Sequence, residues 1–154
     1  MTSGAALLAK RTGLAIVDID GTVSDSRPRQ VYLDRPEPDW AAFFAASGSD
    51  EPLPEGIAFA LELAATGPMM WLTGRPDLYR GITDEWLRGQ GLPPKPLDMR
   101  PDGDMRPAAI FKAERIGQIA ADNEIGLIVD DDDEVVATLQ AAGWPVHHAT
   151  WMHR

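Results

Sequence analysis

The stretch Leu14-Ala-Ile-Val-Asp18-Ile-Asp20-Gly21-Thr22 decides the fold of this chain. Its short apolar run, which follows Gly13 and ends at a Gly-Thr turn, is typical of a buried parallel strand that delivers two carboxylates at its end. In open α/β sheets, ligands bind beyond the carboxyl ends of the strands, so we expect Asp18 and Asp20 to meet solvent and substrate there. Gly21 permits a turn that re-aims the second carboxylate, and the two aspartates are therefore expected to divide into two roles.

Apolar strands separated by helices recur along the rest of the chain. Strands are predicted at 69–72, 97–100 and 125–129, with an edge strand at 144–149, and helices at 38–44, 55–65, 76–89, 107–121 and 134–142. The segment 23–36 is expected to form a loop or small hairpin, and the aromatic residues of the first helix are expected in the core. This alternation predicts an α/β fold: a doubly wound, mainly parallel sheet with helices on both faces.

Length and composition limit the classes of protein to consider. The 154 residues, of which 44% are hydrophobic, suit a single domain over 1–154. Cysteine is absent, so a metal would have to be held by oxygen or imidazole, and a reducing compartment is compatible with the composition. A formal net charge of −10 argues against an extended nucleic-acid-binding surface. It does not exclude local contacts with one phosphorylated end.

The sequence also bears on location. The N-terminus carries its basic residues after a very short apolar patch, which is the wrong order for a secretory signal. Apolar runs are too short to span a bilayer, and we expect a cytoplasmic protein without a membrane partner.

Four polar groups follow one another along the chain in an order that carries more information than any one of them. Asp18-x-Asp20-Gly-Thr ends the first strand, Thr73 follows the second, Lys112 lies near the start of a helix, and Asp130-Asp131 follows a late strand. Two carboxylates crowded at one strand end cost stability unless a cation or a protein group balances them. The order resembles the haloacid dehalogenase (HAD) superfamily of Mg²⁺-dependent phosphohydrolases.

Three stretches are similar to a narrower group within that superfamily. They are Trp71-Leu-Thr-Gly-Arg-Pro76, Met99-Arg-Pro-Asp-Gly-Asp-Met-Arg-Pro107 leading to Lys112, and Val129-Asp-Asp131. Together they resemble the 3′-phosphatase domain of polynucleotide kinase-phosphatases. The resemblance implies a HAD-like domain with little or no cap.

The resemblance also implies a mechanism for the two first aspartates. Asp18 is the expected nucleophile, whose carboxylate attacks phosphorus to give an aspartyl-phosphate. Asp20 is the expected general acid, which protonates the leaving alkoxide and then takes a proton from the hydrolytic water. One carboxylate must stay ionised while the other carries a proton, so their surroundings are expected to separate their pKa values.

The remaining motif residues have implied roles around the phosphate. Mg²⁺ is expected on the Asp18 carboxylate, the Asp20 backbone carbonyl and Asp130, with Asp131 a further metal-site residue that supports the bound water. Thr73 is expected to donate a hydrogen bond to the phosphoryl oxygens, and Lys112 to supply positive charge.

Residues predicted near the substrate are Thr22, Gly74, Arg75, Arg27 and Arg29. Thr22 is also expected to stabilise the turn after the nucleophile, and Arg75 either pairs with an acidic residue or reaches the substrate. The arginines 27, 29 and 35 either grip substrate phosphates or form a solvated basic loop.

The spacing between motifs leaves little chain for a cap, so an open site is expected. An open site suits a substrate too large to enclose, such as a nucleic-acid 3′ end, with Arg100 and Arg106 as further candidates for flanking phosphates. A phosphatase of small nucleotides or other phosphorylated metabolites remains an alternative because the chain is acidic. Whether a separate kinase or ligase partner acts with it stays open.

Two classes outside hydrolysis share parts of this pattern. Receiver-type signalling domains also gather acidic residues, a Thr or Ser and a Lys around Mg²⁺ and a phosphorylatable Asp. In that class the acidic pair precedes the phosphoacceptor strand, whereas here Asp18 and Asp20 begin the core and Asp20 offers a general acid. A catalytically silent binding module is disfavoured because no motif residue is missing.

Overall fold

The central sheet of the computed structural model, which describes residues 11–153, contains five parallel strands in the order β5-β4-β1-β6-β7. The N-terminal patch on which the expectation about secretion depends lies outside these residues. A separate antiparallel ribbon joins the two shortest strands, β2 and β3. The strands are β1 (Leu14–Val17), β2 (Ser24–Asp25), β3 (Glu51–Pro52), β4 (Met69–Pro76), β5 (Leu97–Arg100), β6 (Ile125–Asp130) and β7 (Val146–His148).

Strand β1 lies at the centre of the sheet because its apolar run can be buried on both faces. It pairs in parallel with β4 on one side and β6 on the other. Ala15 and Val17 pack into the core cluster on one face of the sheet, and Ile16 packs into the cluster on the other face. An unbroken apolar run, rather than an alternating one, is what such a strand requires.

Helices cover both faces of the sheet. The helix α2 (Pro54–Thr66) and the helix α3 (Arg80–Gly89) contribute Leu63, Trp86 and Leu87 to the first cluster. The other face is covered by α4 (Ala108–Ala120) and α5 (Asp133–Ala141), which contribute residues such as Phe111, Ile116, Val135 and Leu139. The predicted α/β fold with a doubly wound parallel sheet is confirmed.

The segment between β1 and α2 contains the short helix predicted at 38–44, and differs from the expected loop only over 23–36. After β2 it forms a 3-10 helix (Arg27–Tyr32), the short helix α1 (Trp40–Ala45) capped by Asp39, and a 3-10 turn (Ala46–Ser49) before β3. Within residues 11–153, these short elements and not a separate domain follow the first motif, as expected for a chain with little or no cap.

Strand β4 is longer than predicted. Its pairing with β5 continues past Leu72, with Thr73 opposite Met99 and Pro76 opposite Arg100 across an irregularity in register. Pro76 is therefore the last residue of the strand, and a 3-10 turn (Asp77–Tyr79) precedes α3. Among the described residues, none of the helices is long and apolar enough to cross a membrane.

Candidate active site

The polar motif residues meet at the carboxyl ends of the three central strands. Asp18 follows β1, Thr73 lies in β4, and Asp130 ends β6, and the backbone N–H of Asp18 donates to the carbonyl of Val129 at 2.9 Å. Because β4 and β6 flank β1, their ends are neighbours in space. One open cleft of about 750 Å³ is lined by these three residues together with Asp20, Lys112 and Asp131.

Lys112 links two carboxylates at the base of the cleft. Its Nζ donates to Asp18 Oδ1 at 2.8 Å and to Asp130 Oδ2 at 2.6 Å, and all three side chains are buried. Burial alone would lower the pKa of Lys112, but the charges of Asp130 and Asp18 outweigh it and raise the pKa above its ordinary value. Lys112 is therefore a fixed positive charge next to the predicted nucleophile.

The second oxygen of Asp18 is held by the turn that follows β1. Thr22 is buried, and its hydroxyl donates to Asp18 Oδ2 at 3.1 Å. The predicted substrate contact of Thr22 is replaced by this bond to the nucleophile, in agreement with its expected role in the turn. Burial and the neighbouring Asp130 raise the pKa of Asp18 well above its ordinary value, against the opposing effect of Lys112.

Three carboxylates form a group suited to a hard cation. One oxygen each from Asp18, Asp130 and Asp131 lies within 4.8 Å of the others. Burial raises the pKa of Asp131 to about 6, against a hydrogen bond with Asp18 and with a further raising effect of Asp130. Lys112 balances one of the three negative charges, so the all-oxygen group fits a divalent cation such as Mg²⁺. The Asp20 carboxylate lies outside this group.

The Asp20 carboxylate turns instead toward two buried arginines. Arg75 donates from Nη2 to Oδ1 at 2.7 Å and from Nε to Oδ2 at 3.2 Å, and Arg29 donates from Nη2 to Oδ1 at 2.6 Å. Burial acts to raise the pKa of Asp20, but the ion pairs with Arg75 and Arg29 outweigh it and hold the pKa below its ordinary value. The surroundings thus separate the pKa values of the two aspartates as expected, but the directions, raised for Asp18 and lowered for Asp20, are the reverse of those that an ionised nucleophile and a protonated acid require.

Asp50 completes this ion-pair cluster, although the sequence pattern did not predict it as a site residue. Arg29 donates to its two oxygens at 2.8 Å each, Ser24 donates through its hydroxyl, and the backbone carbonyl of Asp50 accepts from Trp86 Nε1 at 2.8 Å. Asp50 lies in a segment rich in Gly, Pro and Ser, where no periodicity marks a side chain as buried. We find no sequence signal that would have identified it.

The predicted substrate contacts need correction where protein groups already occupy the side chains. Arg29 and Arg75 are 3% and 0% exposed and bind Asp20, which places both away from the cleft surface. For Arg75 this is the first of its two expected roles, the pairing with an acidic residue. Arg27 is exposed, but it binds Asp25 and the carbonyl of Met152 and does not line the cleft. Gly74 does line the cleft, and its carbonyl accepts from Arg100 Nε at 2.9 Å.

The other arginines that were candidates for gripping phosphates are paired as well. Arg35 lies 3.9 Å from Asp39 and over the ring of Tyr32. Arg106 binds Asp104 and Glu114, and Arg100 donates to the backbone carbonyls of Asp104 and Arg106. A loop arginine is easily interpreted as a substrate ligand from sequence, because only the fold shows whether it pairs with a nearby acidic residue.

Gly21 is the position at which the active-site turn requires glycine. Its φ is +80°, and a Cβ placed there would lie 2.0 Å from Asp131 Oδ2. A side chain would therefore strain the backbone and displace one of the three clustered carboxylates.

Gly21→Ala is expected to lower the free energy of unfolding by about 1–2 kcal/mol, the usual cost of a side chain in the left-handed region. Urea denaturation measures the change. The matched control is Gly117→Ala, because Gly117 lies in α4 and a Cβ added there would have no neighbour within 4 Å. Alanine at that position is expected to be neutral or stabilising by about 0.5–1 kcal/mol. Equal stability of Gly21→Ala and the unsubstituted protein would contradict the prediction.

The chain matches a known protein family over most of its length. Residues 13–150 match the profile of the polynucleotide kinase PNKP phosphatase domain. Two solved structures of a Pnkp1/Rnl/Hen1 complex, one of them described as an RNA repair complex, each contain a similar chain. The match covers 88% of the present chain at 23% identity in both cases. Their TM-scores are 0.72 and 0.71, and the matched parts are 41% and 44% of those chains, so this chain spans less than half their length.

A third structure shares the fold over nearly its whole length. It is a haloacid dehalogenase-like hydrolase from Streptococcus pneumoniae, 16% identical, with a TM-score of 0.56, and the match covers 86% of this chain and 82% of that one. A search of curated proteins found no significant match. The extent of the profile match decides the assignment: the chain belongs to the PNKP phosphatase-domain family of HAD phosphatases.

Proposed function

We propose that this protein is a Mg²⁺-dependent phosphomonoesterase that removes 3′-phosphates from nucleic-acid ends through an aspartyl-phosphate on Asp18. The observation that carries the proposal is the Asp18 carboxylate itself. It lies in the cleft with one oxygen on Lys112 and the other on Thr22, beside Asp130 and Asp131. A carboxylate oriented in this way is placed for attack on a phosphate that enters from the open side.

The first step forms one bond and breaks one. An oxygen of Asp18 bonds to phosphorus while the ester oxygen leaves with its electron pair and takes a proton from Asp20. In the second step water bonds to phosphorus, its proton passes to Asp20, and the bond between phosphorus and Asp18 breaks. The products are inorganic phosphate and a free hydroxyl, and both aspartates return to their starting state.

Asp20 is suited to the proton transfers because its pKa depends on its neighbours. Arg75 and Arg29 keep it ionised before substrate binds, so Asp20 has to take up a proton from solvent before the first step and release it after the second. A phosphate dianion placed next to it adds negative charge and raises its proton affinity. The side chain is about one quarter exposed and lines the cleft, so it can exchange protons with solvent and with the leaving oxygen.

The other residues of the site act on the phosphoryl group by charge and hydrogen bonding. The Thr73 hydroxyl oxygen accepts from the backbone N–H of Arg75 at 3.1 Å, which leaves its proton to donate to a phosphoryl oxygen. Lys112 supplies positive charge beside the nucleophile. Mg²⁺, held by Asp18, Asp130 and Asp131, would offset the repulsion between an anionic nucleophile and an anionic phosphate.

Three observations support a nucleic-acid 3′ end as the substrate class. The chain belongs to a polynucleotide kinase phosphatase-domain family, two structures with the same fold come from Pnkp1/Rnl/Hen1 complexes, and the cleft is open. Because those two structures are of Pnkp1/Rnl/Hen1 complexes, we also propose that a kinase or ligase acts on the same nucleic-acid end. The cytoplasmic location stays an expectation from the sequence.

A phosphatase of small nucleotides is the second candidate, favoured by a separate observation. The arginines that line the cleft are bound to carboxylates or carbonyls, so they offer little to a long phosphate backbone. The family match argues against the receiver-type switch, because the family to which the chain belongs consists of phosphatase domains.

Phosphate release with Mg²⁺ and with a chelator tests the proposal. The substrates are a 3′-phosphorylated oligonucleotide, the same oligonucleotide with a 5′-phosphate, and a panel of mononucleotides. We expect release from the 3′ end to be at least tenfold faster than from the 5′ end, to stop with chelator, and to return with added Mg²⁺. Preference for 5′-nucleotides would replace the 3′-end assignment by the second candidate, and release unaffected by chelator would remove the metal.

A further inference from the structure

The outer part of the cleft is apolar, in contrast to its charged base. Trp40 on α1, Leu78 after β4 and Met105 before α4 are 49%, 73% and 81% exposed, and all three line the same cleft as Asp18. The sequence-based expectation that the aromatics of α1 lie in the core holds for Phe43 but is wrong for Trp40. Large apolar side chains exposed together mark a recognition surface more often than a solvated one.

The aromatic rings on this side of the cleft form a stack. Trp40 lies on Phe44 with a centroid distance of 5.9 Å and an interplanar angle of 25°, and Phe44 contacts Tyr79 at 5.5 Å. The indole of Trp40 is half-exposed, more so than the rings of Phe44 and Tyr79. The contact with Phe44 therefore holds the indole ring of Trp40 in place where it lines the cleft.

The charges around the cleft disfavour binding of nucleic acid through its phosphate backbone. Arg106 is bound to Asp104 and Glu114, and Arg100 is occupied by Gly74 and the 104–106 loop. Asp102 and Asp104 also line the cleft, and the chain has a net charge of −10. Phosphates beyond the one that reacts therefore meet paired arginines and carboxylates, and binding energy beyond the scissile phosphate has to come from apolar contact.

We propose that the nucleobase of the 3′-terminal nucleotide stacks on Trp40, with Leu78 and Met105 as further apolar contacts, and that this subsite rather than the phosphate backbone supplies substrate affinity. The inference rests on the proposed 3′-phosphatase function. A base is the occupant that fits, because it is joined through one sugar to the phosphate that Asp18 attacks, and because every base has an apolar face for an aromatic ring.

Two substrates that differ only in the base test the subsite. One is a short 3′-phosphorylated oligonucleotide, and the other carries at its 3′ end a stable abasic tetrahydrofuran residue with the same phosphate. We expect kcat/KM of the unsubstituted protein to be about tenfold higher for the base-bearing end, carried mainly by KM. Equal kcat/KM for both ends would overturn the subsite and leave the phosphatase function standing, whereas no release from either end would overturn the function itself.

Substitution of Trp40 tests which side chain holds the base. Trp40→Ala is expected to bring the ratio of base-bearing to abasic kcat/KM close to one, and Trp40→Phe is expected to keep most of it. The control is Leu61→Ala, since Leu61 is exposed on α2 outside the cleft and the ratio should stay unchanged. If Trp40→Ala kept the full ratio of base-bearing to abasic kcat/KM, the exposed indole would not be what binds the base, and the proposal would be overturned. The substrate comparison in the unsubstituted protein keeps the test valid if Trp40→Ala fails to fold.

Salt dependence separates stacking from phosphate contacts. Affinity that depends on several phosphates falls steeply with ionic strength, whereas stacking does not. We expect KM for a 3′-phosphorylated oligonucleotide to change less than about threefold between roughly 50 and 200 mM salt. A rise of about tenfold or more would show two or more backbone phosphate contacts and would contradict the proposal.

Discussion

Asp18→Asn is expected to lower kcat for phosphate release by about 10⁴-fold or more, because the amide cannot attack phosphorus. Asp130 is bound to Lys112, and Asp20 is turned toward Arg29 and Arg75, so neither carboxylate takes the place of Asp18. Near-normal turnover in this variant would show that Asp18 is not the nucleophile. Quenching the reaction in acid with a ³²P-labelled substrate gives a second readout, since the label should stay on the unsubstituted protein and not on the variant.

The fold is expected to survive this change. Lys112 loses one of its two carboxylate partners but keeps Asp130 at 2.6 Å, and the asparagine can still accept a hydrogen bond from Thr22. The matched control is Asp122→Asn, which makes the same chemical change at an exposed position between α4 and β6. Circular dichroism and thermal melting of both variants distinguish loss of chemistry from loss of structure.

The sheet and the base of the active site could be predicted because both depend on short-range patterns. Apolar runs such as 14–17 and 125–129, between predicted helices, are typical of buried parallel strands. Parallel strands bring their carboxyl ends to one edge of the sheet. Asp18, Thr73 and Asp130 were therefore expected at the same edge of the sheet, and the strand order, with β1 between β4 and β6, makes them neighbours. Lys112 was the least certain of the set from sequence alone, because most helical lysines are solvated.

Arg29 and Arg75 could not be placed from sequence because their acidic partners are distant in the chain and lie in segments without periodicity. Arg29 meets Asp20 nine residues away and Asp50 twenty-one residues away, through a 3-10 helix and a short ribbon whose geometry no propensity specifies. From the sequence, the arginines 27, 29 and 35 either grip phosphates or form a solvated loop. In the fold, Arg29 does neither and instead joins Arg75 in setting the charge state of Asp20.

The exposure of Trp40 could not be predicted for a related reason. Its helix has six residues, too few to establish which face is buried, and the sequence Trp-Ala-Ala-Phe-Phe-Ala is apolar nearly all round. Phe43 enters the core while Trp40 faces the cleft. The choice between the two rings is made by tertiary packing.

Asp20→Asn is expected to lower the rate of the first turnover on a 3′-phosphorylated oligonucleotide by about 10²–10⁴-fold, because the leaving alkoxide then departs without a proton. The same variant should form the aspartyl-phosphate from 4-nitrophenyl phosphate at close to the normal rate, since nitrophenolate leaves without protonation. Hydrolysis of the intermediate still needs a base, so a burst of one nitrophenolate per active site should precede a slow steady state. Rapid-quench measurements on both substrates give the two rates.

A comparison with Asp50→Asn isolates the chemical role of Asp20 from its ion pairs. Both aspartates bind Arg29, so either substitution leaves buried positive charge less balanced and is expected to lower the free energy of unfolding by about 1–3 kcal/mol. Asp20 lines the cleft and Asp50 does not. Asp50→Asn should therefore lower stability but show no burst of nitrophenolate. Its effect on the rate should be the same for the oligonucleotide and for 4-nitrophenyl phosphate. If Asp20→Asn slowed the first turnover equally on both substrates, its role would be to hold the arginines in place, and the general acid would have to be another group.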